Sequence, residues 1–307
     1  MSDWTQKLKV HHLRLLVCIG DQGNLSQVAT MMNITQPALS KWLSALEEEI
    51  GLTLFERHSK GLRPSAGGRL MLEHARRILN DLERSRVDIE QFKQGSQGSL
   101  IVGCSPVATD CVAMALLPLT ADYPTLRLHV VENVMTPLLQ SLLSGKIDVA
   151  VGRVGGRALE LPLNYRVLYT EPICFVSGRN HPLVQRNSIS WHELLSYRWV
   201  VWPTGTPIRV SIDNALVEHG AMLPDDYLEC SSMSVTLNMV QASEMVSILS
   251  WRLARRYEAQ GQLAILPLPR IEQKGSVGVF WRKRETPSGV LQRFLTHLLA
   301  TAGDDRN

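Results

Sequence analysis

The chain has 307 residues, 45% of them hydrophobic and 20% charged, which suits two or three compact units with sizeable cores. Its formal net charge of +3 permits nucleic-acid binding without arguing for it, so that case rests on local patches. No apolar run reaches the length of a membrane span, and the start Met1-Ser2-Asp3-Trp4-Thr5-Gln6-Lys7 is too polar for a secretory signal. The cysteines (Cys18, Cys104, Cys111, Cys174 and Cys230) are scattered, odd in number and without C-x-x-C or metal spacing. A reducing cytosol fits best, with no metal and no cofactor.

Val10 to Asp21 carries Leu13, Leu15, Leu16, Val17 and Ile19 and reads as a first helix, with Gly20 and Gly23 bracketing its end. His11 and His12 read as surface or packing residues. A short helix-forming segment, Asn24 to Met32, leads through a polar junction at Asn33-Ile34-Thr35 into a second, amphipathic helix. Thr35 is a good N-cap, and Pro37 in the first turn loses no needed hydrogen bond. Leu39, Trp42, Leu43 and Leu46 recur at helical spacing, which leaves Gln36, Ser40, Lys41 and Ser44 on or beside the other face. Helix, short turn and a helix with small polar donors at its start is the layout of a helix-turn-helix. Periodicity alone favours an ordinary packed helical pair, since helical hairpins are common.

After Gly51, Leu54-Phe55 reads as a short strand running into a turn with Lys60-Gly61 near its tip, the wing of a winged helix. Between Arg57 and Arg77 the cations Arg57, Lys60, Arg63, Arg69, Arg76 and Arg77 face Glu73 alone. Such a patch supplies sequence-independent, salt-sensitive affinity for DNA. Taken in isolation, it is a solvated charged turn.

Taken together, Asn24-Leu25-Ser26-Gln27-Val28-Ala29, Thr35-Gln36-Pro37-Ala38-Leu39-Ser40, Leu46-Glu47, Gly51, Leu54-Phe55-Glu56-Arg57 and Ser65-Ala66-Gly67 closely resemble the amino-terminal signature of LysR-type transcriptional regulators. The departures are mild: Asn24-Leu25 stand where Ser-Phe is usual, Val28 where Ala is usual and Ser65 where Thr is usual. The resemblance implies a DNA-binding regulator, with Thr35, Gln36, Pro37, Ser40 and Lys41 of the second helix and Arg57 and Arg63 of the wing set against double-stranded promoter DNA. Gln36, Pro37 and Ser40 would meet base edges, and Lys41, Arg57 and Arg63 the phosphates or the minor groove.

From Ala66 to about Gln94, the residues Met71, Ala75, Ile78, Leu82, Ser85, Ile89 and Phe92 follow one another at spacings of four and three. So narrow an apolar stripe needs a partner, either a second copy of itself or the chain's own carboxy-terminal domain. In the resembled family the equivalent linker helix forms the dimer. Gln94-Gly95-Ser96-Gln97-Gly98-Ser99 is a polar hinge. Beyond it strand and helix patterns alternate: Leu100 to Cys104, Val112 to Tyr123, Leu126 to Val131, Thr136 to Ser144 and Ile147 to Val151. This alternation predicts parallel sheets with helical crossovers.

The string Leu142-Leu143-Ser144-Gly145-Lys146-Ile147-Asp148-Val149-Ala150-Val151-Gly152 is similar to the effector domain of the same family, which looks like a two-lobed periplasmic binding protein. The fold expected is therefore an all-α winged helix-turn-helix domain (1–65) and a linker helix (66–94), joined to a two-lobed α/β effector domain (99–302). Lobe I spans about 99–161 and 268–302, lobe II about 164–266, and the polar tail Gly303–Asn307 has nothing to bury.

In open α/β sheets, ligands sit outside the carboxyl ends of strands. That places Ser105, Pro106 and Val107, Thr204 and Thr206, Ser232 and Met233 around a small polar or carboxylate effector, with Arg153 as countercharge. Ser105, Thr204 and Ser232 serve equally as plain N-caps, and Trp202 as a stacking wall or as packing. The Arg63-Pro64-Ser65 stretch and the Trp202-Pro203 loop look like the branch regulating sugar and aromatic-acid catabolism. The function expected is a cytoplasmic, nucleoid-associated regulator, dimeric or tetrameric, whose promoter binding or activation responds to the effector.

Two other classes compete. Cys104 with Cys111 or Cys230 would make a thiol redox sensor if a thiol pKa were lowered. An enzyme is not expected, because the sequence has no nucleophile elbow, phosphate loop or paired carboxylates at a strand end.

Overall fold

A computed structural model describes residues 4–59, 61–93, 95–268, 271, 275–283 and 289–303. Lys60 at the expected wing tip, Gln94 of the hinge and the tail beyond residue 303 lie outside the described residues. The chain divides into two compact units, Met1–Gln94 with Leu143–Lys146, and Gly95–Leu142 with Ile147–Asn307.

In the smaller unit, α1 (Val10–Gln22), α2 (Leu25–Met31) and α3 (Gln36–Ile50) precede a hairpin of β1 (Phe55–His58) and β2 (Gly61–Pro64), and α4 (Ala66–Lys93) follows. Local chemistry sets the boundaries. The side chain of Asn24 accepts from the backbone N–H groups of Ser26 and Gln27, and Thr35 Oγ1 accepts from Ala38 N–H, so both helices of the pair start at capped ends. Between them, Asn33 turns the chain with φ 53°. Leu16, Ile19, Val28, Leu39 and Leu54 are fully buried in the common core.

Gly23 ends α1 in the left-handed region, as expected, but Gly20 lies inside the helix. A Cβ at Gly20 would come within 2.6 Å of Leu72 Cδ1, so its smallness lets α4 pack close. Leu54 likewise precedes the strand rather than belonging to it.

The larger unit contains β3 (Ser99–Cys104), α5 (Thr109–Asp122), β4 (Arg127–Glu132), α6 (Met135–Leu143), β5 (Val149–Arg153), α7 (Gly156–Leu159) and β6 (Leu163–Thr170). Then come β7 (Ile173–Ser177), α8 (Trp191–Leu195), β8 (Trp199–Val201), α9 (Pro207–Glu218), β9 (Leu228–Glu229), α10 (Met233–Ala242), β10 (Val246–Ser250), α11 (Trp251–Ala259) and β11 (Ala264–Ile265). Finally β12 (Ser276–Arg282) and α12 (Gly289–Gly303) close the chain. Two five-stranded sheets result, in the orders β4-β3-β5-β12-β6 and β11-β7-β10-β8-β9. Leu100, Val102, Val149, Val151 and Phe294 belong to the core of the first, and Phe175, Trp199, Val201 and Ile248 to that of the second. The unbroken burial of Val149–Arg153 is what a central strand covered on both faces requires.

The sheets depart from the expected parallel pattern. In the first, β12 runs antiparallel to β5 and β6, and in the second β7 runs antiparallel to β10 and β11. The sheet boundary also falls later than expected. Leu163–Thr170 pairs with β12, so the chain leaves the first sheet at residues 170–172 rather than near 161–164. β7 then follows β6 after only Glu171 and Pro172, and the two strands belong to different sheets.

At Gly68, propensity and packing pull in opposite directions. Glycine costs a helix about 1 kcal/mol relative to alanine, which favours Gly68→Ala. A Cβ there would collide with the backbone carbonyl of Leu54. Gly68→Ala is therefore expected to destabilise the amino-terminal unit by roughly 1–3 kcal/mol, and a thermal melt showing stabilisation instead would refute the contact.

Candidate nucleic-acid interface and ligand cleft

On α3, Thr35, Gln36, Pro37 and Lys41 are exposed and Ser40 is half-buried, while Leu39, Leu43 and Leu46 face the core. Trp42 packs beside His12 with ring centroids 5.1 Å apart. His12 Nδ1 accepts from Lys9 N–H at the start of α1, and burial, then His11 and Lys9, lower its pKa. Among the described residues, no cluster of His, Cys, Asp and Glu is arranged to hold a metal ion.

The hairpin is tied to this helix by one carboxylate. Glu47 Oε1 accepts from Leu54 N–H at 2.6 Å and from Phe55 N–H at 3.0 Å. Gly61, at φ 123°, makes the turn and approaches the carbonyl of Gly23, which accepts from Leu62 N–H at 2.7 Å. Ser65 Oγ donates to Thr53 O at 2.6 Å and accepts from Gly68 N–H at 2.9 Å, so the hydroxyl fixes the exit from the hairpin into α4.

The basic patch splits in two. Arg57 and Arg63 are exposed on the hairpin, Arg63 opposite Glu56, and like Lys41 they form no ion pair among the described residues. Arg76 pairs with Asp21, Arg77 meets His74 Nδ1 at 2.7 Å, and Arg69 donates to Pro64 O at 3.0 Å. The α4 arginines thus brace the unit, and the uncommitted cations are those of α3 and the hairpin.

Along α4, Leu72 and Ala75 are buried, whereas Ile78, Leu82, Ile89 and Phe92 are exposed, Phe92 to 81%. The expected apolar stripe is real, and its far half is uncovered within the chain.

In the larger unit, the carboxyl ends of β3, β5, β8 and β10 line one cleft with an empty volume of about 480 Å³, open solvent included. Ser105, Pro106, Val107, Arg153 and Thr206 line it together with Trp202. Ser105 N–H donates to Val151 O at 2.8 Å. A Cβ at Gly152 would strike Ser105 Oγ and lie 2.5 Å from Met135 Sδ, so this glycine leaves room for the cleft floor. Thr206 Oγ1 donates to Pro203 O at 2.7 Å, and Trp202 Nε1 donates to Ile248 O at 3.2 Å.

Three expected residues lie outside that lining. Thr204 gives its N–H and Oγ1 to Glu229 Oε2 at 3.0 and 2.9 Å, Ser232 Oγ caps α10 by accepting from Val235 N–H, and Met233 is buried in the core of the second sheet. Sequence reasoning passed over Met135, Leu249, Ser250 and Leu253, which also line the cleft. The usable signal was the pattern Val246-Ser-Ile-Leu-Ser250, an apolar strand ending in a hydroxyl before a helix.

Arg153 is the cleft's buried cation. Burial lowers its pKa, with Glu171 and Tyr169 opposing. Its partner Glu171 is pushed the other way by burial, against the Arg252 backbone N–H and the nearby arginines. Cys104 and Cys111 are poor candidates for a sensor: burial raises their thiols to about 11, where a reactive thiol needs the reverse.

Residues 10–69 match the family described as the bacterial regulatory helix-turn-helix protein, lysR family, and residues 93–303 match the LysR substrate binding domain. The chain belongs to the LysR family. It is 30% identical to the HTH-type transcriptional regulator GbpR of Azospirillum brasilense over 92% of this chain and 84% of that one. In fold it is similar to the crystal structure of CbnR, a LysR family transcriptional regulator, with a TM-score of 0.64 and 19% identity, covering 96% and 99% of the two chains. Full-length CbnR complexed with its target DNA gives 0.63 at 20% identity, covering 96% and 100%. This LysR-family protein is thus a transcriptional regulator, not an enzyme. No helix among its described residues is long and apolar enough to cross a membrane.

With thiols at about 11, Cys104 and Cys111 of the folded regulator should resist iodoacetamide at neutral pH and gain reactivity as the pH climbs towards that value, when the unfolded chain is already labelled. A Cys104–Cys111 disulfide formed promptly by peroxide would overturn this.

Proposed function

We propose that this LysR-family regulator reads promoter DNA with Thr35, Gln36, Pro37, Ser40 and Lys41 of α3, aided by Arg57 and Arg63 of the hairpin, under the control of a small polar or carboxylate effector held in the cleft of its larger unit. The observation that carries the effector reading is the convergence of four strand ends, two from each sheet, on one cleft containing a buried arginine. The DNA reading is supported by exposed polar side chains at the start of α3 and by hairpin arginines without ion-pair partners among the described residues. The protein acts in the cytoplasm, at the nucleoid.

The exposed half of α4 supports self-association through a second copy, as a dimer or a tetramer. Ile78, Leu82, Ile89 and Phe92 form too long an apolar stripe to leave in water. A two-fold dimer reads an inverted repeat, so the operator should be an interrupted palindrome.

Genome-wide binding with footprinting on the upstream region tests the reading. Discrete sites sharing such a palindrome are expected, and diffuse or absent binding counts against it. Gln36→Ala should lose about 1–3 kcal/mol of discrimination between sites while nonspecific binding holds. Arg63→Ala should weaken all sites alike and lower the salt slope by about 1. Equal loss on specific and nonspecific DNA for Gln36→Ala would count against base readout. For the stripe, Ile89→Glu should shift the protein to monomer in light scattering, and an unchanged mass would remove α4 from the interface.

A further inference from the structure

The cleft turns its polar atoms away from the open space. Ser105 Oγ, Ser250 Oγ and Arg153 Nη2 belong to residues that line it, yet the atoms themselves are buried. The Ser105 hydroxyl sits over Gly152, where an added Cβ would strike it. Arg153 lays its guanidinium on Gly275, the residue that leads into β12: Nη1 donates to Gly275 O at 3.4 Å, and a Cβ there would collide with it. Thr206 Oγ1 and Trp202 Nε1 are bound to Pro203 O and Ile248 O. What a ligand meets is therefore the apolar surface of Val107, Met135, Trp202, Ile208, Leu249 and Leu253.

Arg153 already has an anion of its own. Glu171 Oε1 stands 3.8 Å from Arg153 Nη2, and both side chains are almost wholly buried. The other oxygen of Glu171 accepts from Arg252 N–H at 3.1 Å, and the Ser250 hydroxyl is near enough to favour the charged carboxylate. Burial raises the pKa of Glu171 and lowers that of Arg153, so each helps to keep the other charged. A ligand carboxylate drawn to Arg153 would set a second anion beside Glu171 in a desolvated place. A ligand ammonium fares no better, because Arg153 lines the cleft and Glu171 does not. An ion held in such a site without a partner of its own costs several kcal/mol.

We propose that the cleft takes a small uncharged molecule with an apolar body, packed against Met135, Trp202 and Leu253 with any hydroxyl or carbonyl left at the open mouth, and that Glu171 excludes carboxylates by keeping Arg153 paired. The proposal rests on the cleft being the effector site, and of the polar and carboxylate chemistries it selects the uncharged one.

Calorimetric titration of the full chain with benzyl alcohol, cyclohexanol, benzoate and benzylamine keeps the ring nearly constant and changes the charge. Both alcohols should bind, with benzoate and benzylamine each at least about tenfold weaker than benzyl alcohol. Ile208→Trp fills the cleft from a half-buried position and should weaken both alcohols at least about tenfold. Glu171→Gln should bring benzoate about tenfold closer to benzyl alcohol, because Arg153 then lacks its anion. Should either variant fail to fold, the ligand ranking on the native chain decides alone. Benzoate or benzylamine matching benzyl alcohol there would overturn the proposal, and the cleft reading would stand if Ile208→Trp weakened them. An unchanged ratio of benzoate to alcohol in folded Glu171→Gln would remove the part given to Glu171. Alcohol binding untouched by Ile208→Trp, or no binding of any of these ligands at millimolar concentration, would sink the proposal together with the cleft reading.

Discussion

Parallel strands joined by helices must finish at the same edge of their sheet, and the larger unit depends on that constraint. Ser105, Arg153, Trp202 and Ser250 stand at or just past the carboxyl ends of β3, β5, β8 and β10, where each strand hands the chain to a loop or helix at that edge. The reversed strands, β7 and β12, contribute nothing to the cleft lining. Their work is to build the cores: Phe175 and Phe280 are among the most deeply buried large side chains. Structure and chemistry are thereby divided between strands of opposite sense within the same sheets.

In the smaller unit the division runs between side chains that bind their own backbone and side chains that are left free. Asn24, Thr35, Glu47 and Ser65 each satisfy backbone N–H groups that a helix start or chain reversal leaves open. Those bonds consume the polar groups nearest the turns. Gln36 and Lys41, exposed on α3, and Arg57 and Arg63, exposed on the hairpin, are what remains for a partner. The family signature thus mixes residues that shape the unit with residues left exposed, and spacing alone does not sort one from the other.

What was legible in the sequence was local. The cap at Thr35, the stripe of Leu39, Leu43 and Leu46, and the apolar runs of β3 and β5 each depend on neighbours within a turn or a strand. What was not legible depended on residues far along the chain. Gly20 looked like a helix terminus, because the Leu72 side chain that makes it necessary belongs to α4. The reversed sense of β12 and the late exit at residues 170–172 are settled by pairing between strands, which strand patterns do not carry. The cleft was read in part for the same reason. Ser105 was found from the end of the Leu100–Cys104 strand, and Arg153 from the end of the Val149–Gly152 run. Ser250 and Met135 reach the cleft only through packing of the whole unit, while Thr204 and Ser232 turned out to serve Glu229 and a helix cap.

The double acceptance by Glu47 has a thermodynamic consequence for recognition. One carboxylate holds the root of the hairpin against α3, so the two elements are tied together before any partner arrives. A partner that engages both therefore meets a surface already ordered, and association does not have to spend free energy on freezing a loose ribbon. Such preorganisation shows itself in dissociation more than in encounter. Loosening the hairpin, with every residue that touches a partner left in place, shortens the lifetime of the complex without altering its chemistry.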